Sequence, residues 1–336
     1  MKKVIWQSRS SVVAESFRDG RISPASNGGN AYDIQASLAL RKEFDISVSD
    51  AAVQLSAESV FSYWKRMRKL HEKANVIIRE PYPLVFGRKA DKIPSVAVIH
   101  HIDDMLGRSS LKHRWYFSRL KKRLRSVSLV ITVSRYWKEY LESLGCANVR
   151  IIYNSFDPAE YVRNSAPVQK FKEKFNIPEG RPLLYAGNAN RQKGIYEVYE
   201  ALKNTGYHIL ISGNMNQAAD LPVQYLRLER DDYVAMLHAC DLVVTMSKMP
   251  EGWNRIAHEA LLCGTPVIGS GTGGMKELLT GAGQVIVKNP DELKGAVDEV
   301  MNHAESYSSN GKKFVEQFDM KYFSKEWTEA VYSLLP

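Results

Sequence analysis

The chain has 336 residues, 44% of them apolar, 25% charged and 10% aromatic, and a formal net charge of +9. This composition excludes a disordered chain, and the length is too great for one comfortable core, so two domains are expected. No apolar run approaches the roughly 18 residues of a membrane span, and the charge favours polyanionic partners such as phosphates, nucleic acid or anionic lipid heads.

In chain order, the opening "MKKVIWQSRSS" reads as a first strand and not a signal peptide, because only three apolar residues follow its basic pair. "DISVSD", "NVIIR", "PSVAVIH", "SLVITVS" and "VRIIYN" continue as strands, with helix-like "NAYDIQASLALRKEF" and "SRYWKEYLESLG" among them. In the second half the strands "RPLLYAG", "YHILIS", "LVVTMS" and "TPVIGS" alternate with helical "GIYEVYEALKN", "DDYVAMLHAC" and "NRIAHEALLCG". Strand and helix in alternation predict an α/β chain with two doubly wound parallel sheets. Between the halves, "FDPAEYVRNSAPVQKFKEKFNIPEGRP" has four prolines and suits a boundary. Ligands of such sheets bind beyond the C-terminal strand ends, so two facing domains predict a cleft between them. Cys146, Cys240 and Cys263 are odd in number, with no CxxC pair. They argue against a disulfide framework or zinc site and for a reducing cytoplasm.

The richest stretch is "MPEGWNRIAHEALLCGTPVIGSGTGGMKEL", residues 249–278. A helix is predicted to begin near Asn254 and stop at Gly264, where a left-handed residue is wanted. Its first amides lack intrahelical partners and, with the helix dipole, suit a phosphate. Glu251 stands just outside this helix start. Glu259 lies within the helix, about 12 Å further along if the spacing were all helical. Carboxylates accept well from sugar and ribose hydroxyls.

Glu251, seven residues, Glu259 and then "ALLCGTPVIGSGTGGMKEL" closely resemble the E-x7-E region of retaining GT-B glycosyltransferases of family 4. The resemblance runs through nearly the whole chain. It includes "SNGGNAYDIQASLAL", "VIHH", "SLVITVSRYWKEYLESLG" with "VRIIYNSFD", and "LLYAGNANRQKGIYEVYEAL". It implies a GT-B fold with two Rossmann-like domains. These are an acceptor-side domain over 1–160, a nucleotide-sugar donor domain over 161–318, and a helix over 319–336 returning to the first domain. It also implies transfer of a hexose from a GDP- or UDP-linked donor to a glycan or lipid-linked hydroxyl, with retention of configuration.

Residue by residue, the resemblance assigns Glu259 to the donor ribose and Glu251 to hydroxyls of the transferred sugar. Backbone around Trp253, Asn254 and Arg255 would hold the sugar and phosphates. Lys193 would neutralise the leaving diphosphate. The usual arginine position is Asn188, a departure, and Arg191 is the natural substitute. Gly28 and Gly29 would let backbone approach the donor, and His100, with His101 as the alternative, would sit at the donor sugar. No cofactor or metal is expected. "HIDDM" and "ERDDY" hold Asp pairs, but Asp231 and Asp232 read as helix-start acids, and cations with a helix dipole would replace a divalent ion.

Two rivals stand beside this reading. A dinucleotide-dependent oxidoreductase lacks its G-x-G-x-x-G after a strand. A catalytically silent nucleotide-sugar-binding protein is kept open by Asn188. Finally, "LKHRWYFSRLKKRLR", residues 111–125, holds seven basic residues and no acid. The expectation is a cationic face including Lys121, Lys122, Arg123 and Arg125. It would dock the acceptor-side domain on an anionic membrane, which would make a cytoplasmic enzyme peripheral on the inner face. An ordinary solvated helix is the plain alternative, and nucleic acid is not expected because no binding motif accompanies the charge.

Overall fold

The computed structural model describes residues 1–23, 27–88, 92–103, 110–213 and 220–336. It divides into two compact units, Met1–Asn154 with Met320–Pro336, and Ser155–Asp319.

The first unit holds β1 (Lys3–Gln7), β2 (Asp45–Val48), β3 (Val76–Arg79), β4 (Ser95–Ile99), β5 (Leu129–Thr132) and β6 (Val149–Ile151). All are parallel, in the order β2-β1-β3-β4-β5-β6. Every residue of β3, β4 and β5 is buried, as expected where crossover helices cover both faces of a parallel sheet. The helices are α1 (Ser11–Asp19), α2 (Gly28–Leu40), α3 (Val60–Lys69), α4 (Pro81–Phe86), α5 (Leu111–Leu124) and α6 (Arg135–Ser143).

The second unit holds β7 (Leu183–Asn188), β8 (His208–Ser212), β9 (Gln224–Leu226), β10 (Leu242–Thr245), β11 (Val267–Gly269) and β12 (Val285–Ile286). They are parallel in the order β12-β11-β10-β7-β8-β9. Its helices are α7 (Ser165–Lys174), α8 (Ile195–Leu202), α9 (Arg230–Ala239), α10 (Arg255–Leu262), α11 (Met275–Gly281), α12 (Leu293–Asn302) and α13 (Ala304–Val315). The edge strands β9 and β12 were not expected, being two or three residues long and only partly buried. The proline-rich stretch contains α7. Pro167 falls in its first turn, where a missing N–H costs nothing, Asn164 caps the Ala166 amide at 3.1 Å, and Phe171 is buried.

The last helix, α14 (Met320–Tyr332), belongs to the first unit. It packs Trp327 5.3 Å from Trp6 and Phe323 5.1 Å from Tyr32 between ring centroids. Arg150 on β6 donates to Glu326 and Glu329 of the same helix, 2.8 Å each.

Strand order reverses between β1 and β3 in one sheet and between β7 and β10 in the other. Such switch points open a crevice at the C-terminal strand ends. In the second unit the two loops there nearly touch. The Lys248 amide donates to the Gln192 carbonyl at 2.8 Å, and a Cβ at Gly194, whose φ is +75°, would stand 1.9 Å from the Met246 carbonyl oxygen. Gly194→Ala is therefore expected to push these loops apart and lower the unfolding midpoint of the second unit, read by thermal melting. Trp327, fully buried, tests the first unit: Trp327→Ala should cost about 3–5 kcal/mol in denaturant unfolding.

Candidate functional site

In the first unit, α2 begins where the Gly-Gly pair lies. Gly28 and Gly29 are the first two residues of the helix and not a loop before it, because Asn27 caps the Asn30 amide at 2.9 Å. His100, just past β4, lies against this turn. A Cβ at Gly29 would stand 3.4 Å from His100 Cδ2, so any side chain there would wall off the ring. His100 Nε2 is 3.1 Å from Asp33 Oδ1, one turn into α2, and the ring meets Tyr32 edge-on at 4.8 Å. His101 is exposed and turns toward Trp137, 6.5 Å away. The strand-end choice left open by sequence thus has His100, and not His101, beside the glycines. Ser26 and Asp104, from the "SNGGN" and "HIDDM" stretches, lie outside the described residues.

Behind His100 is a group that pattern reading missed. Asp33 is buried, and Glu80, immediately after β3, has its carboxyl within hydrogen-bonding reach of both Asp33 and Ser8. Burial, reinforced by the Asp33 charge, pushes the Glu80 carboxyl up to about 8, while Ser8 and His100 oppose the rise. Burial likewise raises Asp33 well above the usual carboxylate range. An acid directly ending the apolar run "NVIIR" was the available signal.

In the second unit, Lys193 ends a one-turn 3₁₀ helix, Arg191–Lys193, and Gly194 follows in the left-handed region. Lys193 Nζ donates to Glu251 Oε1 at 2.5 Å. Glu251 is held by backbone as well. Its amide donates to Thr272 O at 3.3 Å and its carbonyl accepts from Gly274 N at 2.9 Å. Gly273 is in the left-handed region, and a Cβ there would lie 2.5 Å from the Glu251 carbonyl oxygen. Thr272 Oγ1 is shared between the Ser247 and Met249 carbonyls at 3.1 and 3.0 Å, which ties the Gly-rich turn after β11 to the loop after β10 that leads to Glu251.

The helix after Glu251 starts at Arg255, as expected, with Asn254 as cap at φ +73°. Asn254 Oδ1 accepts from the Ala257 amide at 3.0 Å, so one amide offered to an anion is already satisfied. Trp253 is buried and its Nε1 donates to His258 Nδ1 at 3.1 Å. Burial, with Arg255 nearby, depresses His258 to about 3, so the ring stays a neutral acceptor at physiological pH. The Arg255 guanidinium stacks 4.4 Å over the Phe156 ring.

Glu259 is buried among three side-chain donors. Its Oε1 accepts from Tyr161 at 2.8 Å and from Arg230 at 2.7 Å, and its Oε2 accepts from Tyr233 at 3.2 Å. Arg230 opens α9 and also pairs with Glu160 at 3.0 Å. Arg230 and Tyr233 are three apart on that helix, a spacing that puts both on one face. Tyr161 is 98 residues from Glu259, and no local pattern points to it.

Asn188 and Arg191 each have a neighbour of their own in this unit. Asn188 Oδ1 accepts from Ser212 at 3.2 Å. Arg191 is 71% exposed at its side chain, 3.8 Å from Asp220 and stacked 4.2 Å over Tyr196. Its short tether in the one-turn helix aims it at that surface pair, which water and salt weaken. The basic face of α5 is also partly committed. Arg119 donates to the Val85 carbonyl and Arg123 to the Gly87 carbonyl, both at 2.8 Å, and Arg125 donates to the Leu144 carbonyl at 2.5 Å. These carbonyls close the C-terminal ends of α4 and α6, where cations are favoured. Among the described residues, no group of three or more His, Cys, Asp or Glu is placed to hold a metal ion, and no helix is long and apolar enough to cross a membrane.

Comparison with known proteins covers both units. The model for Glycosyltransferase Family 4 matches residues 30–160, and that for Glycosyl transferases group 1 matches residues 167–314. An uncharacterized glycosyltransferase of Methanocaldococcus jannaschii is 24% identical over 243 residues, 67% of this chain and 64% of the relative. Matches to three such curated relatives span 60–64% of their own lengths. Sucrose-phosphate synthase from Thermosynechococcus elongatus superposes with a TM-score of 0.79 at 17% identity, covering 99% of both chains. Anabaena HepE in complex with UDP-glucose superposes with a TM-score of 0.73 at 20% identity, covering 99% of this chain and 100% of that one. At these identities the structural likeness is one of fold, and together with the two family matches it makes this chain a member of the family 4, group 1 glycosyltransferases, with the GT-B fold.

Proposed function

We propose that the chain transfers a hexose from a nucleoside diphosphate sugar to a hydroxyl of a glycan or lipid-linked acceptor, with retention of configuration and without a divalent ion. The observation that carries this reading is the Lys193–Glu251 pair at the switch point of the second sheet, framed by the Gly-rich turn after β11. An ammonium has three donors, so Lys193 can keep Glu251 and still meet a diphosphate oxygen. Charge grows on that oxygen as the sugar–phosphate bond breaks, and a preorganised cation acts most strongly there. Glu251 would accept from hydroxyls of the transferred sugar and Glu259 from the ribose. Three donors already hold Glu259 in place, and a carboxylate has about four acceptor sites, so one direction is left for a ribose hydroxyl. Arg191 would reach the diphosphate only by leaving Asp220 and Tyr196. The acceptor hydroxyl would attack from the face the diphosphate leaves. UDP-glucose is the first donor to try, since the HepE structure holds it.

A silent sugar-nucleotide binder is the second reading, favoured by Asn188 and by the outward-turned Arg191. Incubation with UDP-glucose, GDP-mannose and UDP-N-acetylhexosamines, with and without glycan acceptors, separates the two. Release of nucleoside diphosphate supports the enzyme. Thermal stabilisation by a donor without any release supports the binder. A ligand at 100 times its dissociation constant adds about 2.7 kcal/mol.

Lys193→Ala is expected to lower kcat by roughly 10²–10³ while donor affinity changes little. Glu259→Gln is expected to weaken nucleoside diphosphate binding roughly tenfold or more, since a charge-assisted hydrogen bond contributes about 1.5–3 kcal/mol. Steady-state kinetics and calorimetric titration read the two effects.

A membrane-docking face is part of the proposal, with a changed residue set. Lys112, Arg114 and Lys122 are exposed on α5, beside Leu111 and Trp115, which are 80% and 48% exposed. On α3, Val60 and Phe61 are also exposed. Co-sedimentation with phosphatidylserine vesicles at low salt is expected, weakening at high salt. It should fall in the Lys112→Glu, Arg114→Glu, Lys122→Glu triple variant, which leaves the helix-end arginines in place. No sedimentation at low salt would leave a soluble acceptor as the partner.

A further inference from the structure

In the second unit Glu259 is held from two other segments, and its donors fall unequally on its two oxygens. Tyr161 ends the 3₁₀ turn Pro158–Tyr161, and Arg230 and Tyr233 lie on the first turn of α9. Among the described residues, Oε1 accepts from the Tyr161 hydroxyl at 2.8 Å and from Arg230 Nη1 at 2.7 Å, whereas Oε2 accepts only from Tyr233, at 3.2 Å. Each carboxylate oxygen has about two acceptor positions, so Oε1 is filled and the remaining position is on Oε2. The direction of the Tyr161 proton is set by Arg230. Arg230 Nη2 donates to the Tyr161 oxygen at 2.5 Å, and a guanidinium has no acceptor. Burial, reinforced by the Glu259 charge, raises the Tyr161 phenol and keeps it protonated, so its O–H points at Glu259. Arg230 has two acid partners, Glu259 at 2.7 Å and Glu160 at 3.0 Å, whose side chains are 8% and 59% exposed. Water weakens the exposed pair far more than the buried one. The guanidinium is thus placed by Glu259, and it lies 5.2 Å over the Tyr161 ring.

We propose that Tyr161 and Arg230 are positioning residues that close Oε1 to ligand, so that Glu259 takes one ribose hydroxyl, on Oε2, and does not clasp the 2′- and 3′-hydroxyls together. A carboxylate with both oxygens open could accept two neighbouring hydroxyls side by side. Here the second hydroxyl would have to displace Tyr161 or Arg230 from Oε1. A displaced Tyr161 hydroxyl would lose its acceptor in a buried place, 1% exposed, where water does not replace it. That Glu259 meets a ribose rests on the glycosyltransferase reading; the filling of Oε1 does not.

Calorimetric titration of the parent chain with UDP and GDP, and then with the 2′-deoxy and 3′-deoxy forms of whichever binds, tests the proposal. One deoxy ligand should bind roughly tenfold or more weakly than the parent nucleotide, and the other within about threefold of it. Tyr161→Phe keeps the ring and its edge contact with Phe156, 5.9 Å between centroids, and frees one position on Oε1. In that variant the two deoxy ligands should differ by less than about threefold, because either hydroxyl now finds an acceptor. Arg230→Met should lose the difference as well. A merely structural role would weaken all three ligands in proportion and leave their ratio as in the parent. Equal losses for the two deoxy ligands in the parent, or a parental ratio in either variant, would overturn the proposal. Undiminished binding of both deoxy ligands would overturn the ribose assignment of Glu259 and the proposal with it. No binding of UDP or GDP would overturn the donor reading itself.

Discussion

A parallel sheet covered by helices on both faces has one place for unpaired polar chemistry, the C-terminal ends of its strands. Both units of this chain obey that constraint. The interiors of β3, β4, β5 and β10 are buried throughout. Glu80, His100, Lys193 and Glu251 all come just after strands. Burying the sheet supplies the rigidity, and the loops beyond it carry charges that the interior could not hold. The reversal of strand order then selects which loops lie side by side, and the Lys248–Gln192 backbone contact is its direct result in the second unit.

Within that frame the acids are managed in opposite ways. Glu259 is buried and surrounded by donors from Tyr161, Arg230 and Tyr233. Those bonds fix the direction of its oxygens. Glu80 is buried with too few donors, and burial raises its carboxyl. A protonated carboxyl has one O–H donor and keeps an acceptor oxygen, whereas a carboxylate only accepts. Two buried glutamates thus differ because of what surrounds them.

The basic residues divide by the same logic. Arg119, Arg123 and Arg125 look in sequence like one cationic stripe with Lys121 and Lys122, but their guanidinium groups reach the open carbonyl ends of α4 and α6. Such ends carry partial negative charge, and a long cation one helix away satisfies it. A run of positive charge therefore reports helix packing as much as an external partner. The exposed lysines and the apolar residues beside them are better candidates for a surface contact.

Strand and helix periodicity, the Gly-Gly pair, the "KG" element and E-x7-E were legible because each is local. Alternation of apolar runs with amphipathic ones forces a parallel α/β chain, and a glycine before or after a helix has few other uses. The start of α10 at Arg255 was read within a residue for that reason. What the sequence could not contain were meetings across distance. Tyr161 with Glu259, Glu80 with Asp33, and Arg123 with Gly87 join segments that share no spacing rule. The edge strands β9 and β12 were invisible because two or three half-buried residues carry no period. Residue types and their periods determined the elements, since backbone hydrogen bonding and burial act within a few residues. Which acid is surrounded by donors, which arginine is occupied and which histidine meets the glycines were decided by tertiary packing, because electrostatics in a buried site depends on whatever the fold brings within a few ångströms.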